Sequence, residues 1–325
     1  MIEITRKNIR IWSMLGMRRI LGPAMKDIIG ENPRVLFATA DTGRYYAWED
    51  LVRTYPGNVV DVGIAEQNLI GTCAGLQNEG FNVYACTYAT FLTARALDQI
   101  RVNLGYMGLG VKLIGEAGGM GDGNFSATHM ALEDISNTRC IPHMRVIVPA
   151  DGMELVKTLA ALKDAEYPAY VRMTGRADIP VIYKEDYDFE IGKAVTLREG
   201  KDAVILSNGT LLGDVLKAAK LLEERGIACR VVNLHTVKPL DEAVLREIAG
   251  YPLVVTAEEH LLYGGLGSAV AEFYATEPVR PRMLMLSVGT EYPDAKEYED
   301  LLKTCGLTAP QMADRIEAAL AGKEN

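Results

Sequence analysis

Short β-rich runs alternate with longer stretches of helical spacing along most of the chain. Aliphatic and β-branched runs fall at residues 35–38, 59–62, 82–86, 111–114, 146–148 and 169–172. This alternation predicts a doubly wound α/β domain built on a parallel sheet. Ahead of it, residues 9–29 carry an amphipathic helical pattern, and Pro23 near the middle predicts a kink or a break there. Residues 176–192 bear Pro and Tyr without a helical period and read as a connection. A second series follows, with strands at 203–207, 229–233, 253–257 and 283–287 and helices at about 211–224, 241–249, 267–274 and 309–321. Asp241, after Lys238-Pro239-Leu240, is placed to cap the second of these helices. The expected fold class is two doubly wound α/β domains, residues 1–178 and 193–325, joined by a linker at 179–192. The second sheet is smaller and mostly parallel.

The run Asp61-Val62-Gly63-Ile64-Ala65-Glu66-Gln67-Asn68-Leu69 sets one carboxylate at a junction between strand and helix. Gly63 supplies the backbone freedom for the turn. Leu69, Ile70, Cys73, Ala74 and Leu76 continue at helical spacing, so this helix packs on the sheet and its first turn points out of the sheet's carboxyl end. Open α/β sheets bind ligands at that edge. Position alone also explains Glu66 as an ordinary first-turn acid complementing the helix dipole.

Bulk properties narrow the function classes. The 325 residues suffice for two ordinary domains, and the 49% hydrophobic fraction fits a globular protein. Apolar runs are interrupted well before the roughly twenty residues a transmembrane helix needs. The opening Met1-Ile2-Glu3-Ile4-Thr5-Arg6-Lys7 lacks the order of a secretory signal, so a cytoplasmic location is expected. The five cysteines, at 73, 86, 140, 229 and 305, are scattered and include no Cys-x-x-Cys pair, against a disulfide framework or a zinc site. A net charge of −9 without any block of Lys and Arg leaves nucleic-acid binding no electrostatic footprint. The same field does nothing for a phosphorylated substrate, which would need local Arg or His groups.

Further strings recur in a fixed order. Leu36-Phe37-Ala38-Thr39-Ala40-Asp41 precedes the Glu66 run, and Thr87-Tyr88-Ala89-Thr90-Phe91-Leu92 follows it. Then come Ala127-Thr128-His129-Met130-Ala131-Leu132-Glu133-Asp134, Val148-Pro149-Ala150-Asp151-Gly152, Thr236-Val237-Lys238-Pro239-Leu240-Asp241, and Glu258-Glu259-His260 before Gly264-Gly265-Leu266-Gly267. In this order the chain resembles the transketolase family, including its deoxyxylulose-phosphate synthase branch. The resemblance implies an aminopyrimidine-binding domain followed by a transketolase C-terminal domain, and thiamine diphosphate as cofactor. It makes Glu66 the glutamate that activates the cofactor from the pyrimidine nitrogen, a task suited to a carboxyl in a mostly apolar site. It makes Asp41 cofactor-proximal, Tyr88 and Phe91 the aromatic wall of the pyrimidine, and His129 a catalytic residue at the sugar oxygens. Arg176, and less closely Arg18, match arginines that bind the substrate phosphate, a role suited to guanidinium.

The departures are equally specific. Ala117 stands where the family has a histidine for the distal phosphate, and Phe125 where it has an aspartate reading a donor hydroxyl, so an unusual ketose or aldose is expected. Gly121-Asp122-Gly123-Asn124 imitates the start of the family's diphosphate and Mg²⁺ motif, but its asparagine is adjacent and its context is wrong. No metal ligand is therefore expected in this chain. The resemblance then implies the C-terminal subunit of a split transketolase, whose partner, an N-terminal subunit with the diphosphate domain, holds Mg²⁺ in an α₂β₂ heterotetramer. The alternatives from sequence are the β subunit of a 2-oxo acid dehydrogenase and a non-catalytic module on the same fold.

Overall fold

Residues 4–176, 179 and 181–322 are described in a computed structural model of the chain. The expected limits at residues 1, 178 and 325 lie outside them. Among the described residues twelve strands form two sheets. The first contains β1 (Val35–Thr39), β2 (Val59–Asp61), β3 (Asn82–Tyr88), β4 (Lys112–Glu116), β5 (Arg145–Ile147) and β6 (Ala169–Arg172), close to the six predicted runs. All six run parallel to one another. Strands β1, β4 and β6 are buried throughout, and apart from Lys112, Glu116 and Arg172 at their ends they carry no charged residue.

The second sheet holds β7 (Val195–Arg198), β8 (Ala203–Ser207), β9 (Cys229–Asn233), β11 (Val254–Ala257) and β12 (Met283–Leu286), in the order β12-β11-β8-β9-β7. Its pairs are parallel except β7 with β9. The remaining strand, β10 (Thr236–Lys238), leaves this domain and pairs antiparallel with β5, making the first sheet β10-β5-β6-β4-β3-β1-β2. The sequence pattern marks neither β7 nor β10. Strand β7 is only half-buried, and β10 has three residues, too few to show a period.

The expected break at Pro23 is corrected. The first helix, Arg6–Glu31, is interrupted at Gly16, where φ is 72° and ψ 162°. Glycine alone adopts that backbone without a Cβ clash. Pro23 stays within the helix because it and Arg19 lie on the exposed face, where a carbonyl that loses its amide partner can be hydrated. Asp241 does cap its helix, accepting from the Val244 amide at 3.4 Å. Among the described residues no helix is long and apolar enough to cross a membrane.

The two domains share one apolar core that runs from Leu36, Val83 and Val146 to Val204, Val232 and Leu266. A polar clasp supplements it. Asp151 caps the helix Gly152–Leu162 by accepting from the Glu154 amide at 2.9 Å, and its other oxygen accepts from the amides of Ile182 and Tyr183 at 2.9 and 3.1 Å. Asn233, at the end of β9, donates to both Glu154 oxygens at 2.9 and 3.1 Å. Burial pushes the Asp151 carboxyl up to about 6, with its amide donors opposing. Replacing Asp151 removes a helix cap and both linker anchors together. Asp151→Ala is expected to lower the unfolding free energy by about 2–3 kcal/mol in urea titrations. A loss within error of zero would show that the clasp is dispensable.

Candidate active site

The residues singled out from sequence gather at the carboxyl ends of β1 to β4. After β2 the chain turns at Gly63, whose φ of 71° suits glycine, and enters the helix Glu66–Asn78 with Glu66 as its first residue. The Glu66 side chain is only 4% exposed. A buried carboxylate needs a partner. Arg95 provides it, its Nη1 lying 2.9 and 2.8 Å from the two carboxylate oxygens. Arg95 closes the widened helical turn Phe91–Arg95, and its guanidinium carbon sits 4.2 Å from the Phe91 ring centroid. The surroundings of Glu66 thus include a cation as well as apolar groups. On the neighbouring loop, Asp61 Oδ1 accepts from the amides of Asp41 and Gly63, each at 2.9 Å, tying the turn before Glu66 to the one carrying Asp41. Asp41 itself is exposed and has a positive φ of 62°.

Beside this pair stands a cluster of rings. His129 lies 5.2 Å from Tyr88 and 5.3 Å from Phe91, both edge-on, while Tyr88 and Phe91 are 5.7 Å apart. Phe125, exposed, tilts against His129 at 4.8 Å. The network assigns the imidazole tautomer. The Thr128 hydroxyl donates to the Phe125 carbonyl at 2.6 Å, so its oxygen must accept from His129 Nδ1, 3.0 Å away. Nε2 is left with its lone pair available.

Arg18 borders the cluster from the other side, its guanidinium 5.7 Å from the ring centroids of both Tyr45 and Tyr88. Its Nε donates to Glu116 at 3.1 Å and its Nη2 to Asp122 at 2.7 Å. Burial disfavours the charged guanidinium, but the two carboxylates outweigh it and hold the group above its ordinary range. Burial likewise pushes the Glu116 carboxyl up, against the pull of Arg18, to about 7. Asp122, from the string resembling a diphosphate motif, is thereby engaged by an arginine of its own domain. Ala117 next to Glu116 is buried with a left-handed φ of 56°, which is uncommon for a residue with a Cβ. Arg176 stands apart from the rings, flat on Tyr298 at 3.6 Å with Nη2 3.3 Å from Glu299.

The loop carrying Asp122, Phe125 and His129 rests on the second domain. The Met120 amide donates to Glu259 Oε2 at 3.2 Å, the Lys296 amide to the Gly123 carbonyl at 3.3 Å, and the Ser126 hydroxyl to the Pro293 carbonyl at 3.3 Å. Below it, buried Arg172 donates to Asp134 at 2.9 Å and to the carbonyls of Ala131 and Glu259 at 2.8 and 2.7 Å.

The structure therefore links Glu66, Phe91, Tyr88 and His129, with Arg18 adjoining. Asp41 lies on the next loop, and Arg176 at the domain boundary. Sequence reasoning missed Arg95 and Glu116. Arg95 sits four residues after Phe91, a spacing that brings two side chains together on a helical turn. Glu116 is a buried carboxylate ending a strand whose middle, Leu113-Ile114-Gly115, is apolar.

Two family models match: residues 13–177 fit the transketolase pyrimidine binding domain and residues 192–312 the transketolase C-terminal domain. The chain belongs to the transketolase family. It is 34% identical over 274 residues to one of the subunits of an apulose-4-phosphate transketolase of Phocaeicola vulgatus, spanning 84% of this chain and 88% of that one. It is 33% identical over 301 residues to a 1-deoxy-D-xylulose-5-phosphate synthase of Synechococcus, covering 92% of this chain but only 46% of that protein. Among solved structures it superposes on one described as a split gene transketolase, inactive beta4 tetramer, with a TM-score of 0.85 and 36% identity over 95% of this chain and 99% of the other. The two largely parallel α/β domains are the architecture of this family, and its chemistry is ketol transfer.

Glu116 gives the site a pH signature. Its folded pKa of about 7 lies above the 4.5 of a free glutamate, so between these values the folded chain binds more protons than the unfolded one. The cost of burying the charge is absent below about pH 4.5 and complete above about pH 7, and stability falls as pH rises through that window. Glu116→Gln should remove this dependence. Denaturation of both forms from pH 4.5 to 7.5 should show the stability difference shifting in favour of the variant as pH rises; a constant difference would contradict the assignment.

Proposed function

We propose that the chain is one half of a two-chain, thiamine diphosphate-dependent transketolase that moves a two-carbon ketol unit from a ketose or ketose phosphate to an aldose. The observation that carries this reading is the buried Glu66 carboxylate, joined through Arg95 to the ring wall of Phe91, Tyr88 and His129 at the sheet's carboxyl edge. A flat, uncharged aminopyrimidine fits these residues, since it offers one face to aromatic rings and a ring nitrogen that can share one proton with a carboxyl. When bound, the cofactor supplies a nucleophilic carbon.

The chain's own residues act around that group. Glu66 holds a proton at the pyrimidine ring nitrogen, and Arg95 fixes the carboxylate in place. Phe91 and Tyr88 grip the ring and exclude water. His129 offers Nε2 to a hydroxyl of the sugar and takes or returns its proton. Arg18 and Arg176 face the remainder of the sugar, while Ala117 and Phe125 withhold two polar contacts, which favours a sugar other than the common pentose phosphates.

The diphosphate and its Mg²⁺ are assigned to a partner, an N-terminal subunit, with two copies of each chain in the assembly. Support comes from the two domains matched here and from the Phocaeicola relative, which is itself named as a transketolase subunit. The solved split transketolase described as an inactive beta4 tetramer points the same way.

Purified alone with thiamine diphosphate and Mg²⁺, the chain should show no ketol transfer above background, and coexpression with the N-terminal subunit should restore it. Full activity of the single chain would overturn the two-chain reading. In the assembled enzyme, Glu66→Ala should slow exchange of the cofactor's thiazolium proton, followed by NMR, by about 10²-fold or more. Unchanged exchange would remove Glu66 from the chemistry.

A further inference from the structure

Arg18 and Arg95, which border the ring cluster, are engaged by carboxylates of the same chain. Arg18 is held twice, by Glu116 at 3.1 Å and Asp122 at 2.7 Å. The Glu116 side chain is wholly buried, and that of Asp122 is 13% exposed. Next to them, a Cβ added at Gly175 would fall 2.7 Å from Asp122 Oδ1 and 2.9 Å from Arg18 Nη2, so the chain leading to Arg176 closes directly over this pair. Arg176 is in turn occupied by Tyr298 and Glu299. Arg95 is committed to Glu66. Arg44, 5.4 Å from the Tyr45 ring centroid, is exposed, where an ionic contact contributes little.

At Arg18, one fixed positive charge meets two carboxyl groups, both of them negative once the pH is above the Glu116 range of about 7. A phosphate accepting from the free N–H groups of this guanidinium would lie beside the two carboxylates as a like charge, and displacing either of them would leave a buried charge unpaired. The chain's net charge of −9 adds to the opposition. Hydroxyl groups face no such obstacle. Arg18 retains N–H groups beyond the two used, and the Asp122 carboxylate has further lone pairs to accept O–H donors.

We propose that this end of the cleft selects the unphosphorylated, polyhydroxylated terminus of a sugar and rejects the corresponding phosphate ester. The inference rests on reading the cleft as a ketol-transfer site. It narrows the substrates to free ketoses and aldoses.

Two measurements test it. With the assembled two-chain enzyme and glycolaldehyde as common acceptor, kcat/KM for D-xylulose should exceed that for D-xylulose 5-phosphate by about tenfold or more. Preference for the ester would overturn the inference and leave ketol transfer standing. Should neither sugar turn over, ketol transfer is judged by exchange of the thiazolium proton in the assembled enzyme, and phosphate titration of the isolated chain still decides the charge argument. By ³¹P NMR at pH 8, where Glu116 is mostly ionised, the chain should show no saturable binding of inorganic phosphate below about 10 mM. The folded double variant Glu116→Gln, Asp122→Asn, its fold checked by circular dichroism, should acquire such binding. Saturable millimolar binding by the unaltered chain, or none by the folded variant, would overturn the proposal.

Discussion

The candidate site depends above all on the seating of one loop across the domain boundary. The segment after β4 leaves the first sheet with Glu116, carries Asp122, Phe125 and His129, and is fixed from below by Glu259, Pro293 and Lys296 of the second domain. These contacts use backbone groups on at least one side, so they constrain the path of the loop more than its side chains. The second domain thus acts as the floor of the site. Strand β10 and the Asp151 clasp hold that floor to the first sheet.

Two carboxylate–guanidinium pairs then divide the electrostatic work. Glu66 is buried while Arg95 is half exposed, so the pair presents its cation to solvent and keeps its acid inside. At Arg18 the arrangement is reversed in emphasis. Its cation is enclosed between two acids, one of them fully buried, and the ring of Tyr88 adjoins both this group and His129. A buried pair contributes little net stability, because desolvation offsets attraction, but it fixes geometry. Here the geometry fixed is that of the two sides of the aromatic wall.

Much of this is legible in the sequence. The parallel strands β1, β3, β4 and β6 lie inside the sheet and stand out as apolar runs. Glu66 is legible because a glycine turn and a helix start flank it. The helix break falls at Gly16 rather than Pro23, although local propensity ranks proline as the stronger disruptor, because the outcome is decided by which face of the helix each residue occupies. Strand β10 and the acids around Arg18 are illegible for a different reason. Their partners lie far away in sequence, Thr236 pairing with Ile147 and Asp122 with Arg18, and no local period encodes such contacts.

The borrowed strand also carries a consequence for how the chain is made. As a nascent polypeptide leaves the ribosome, β5 can pair with β6 soon after both emerge, but its outer edge stays open until β10 arrives roughly 90 residues later, on the order of ten seconds at ordinary elongation rates. An uncovered strand edge invites pairing with other chains. The interval between translating these two segments is therefore a window of vulnerability to pairing with neighbouring nascent copies, which closes when β10 arrives.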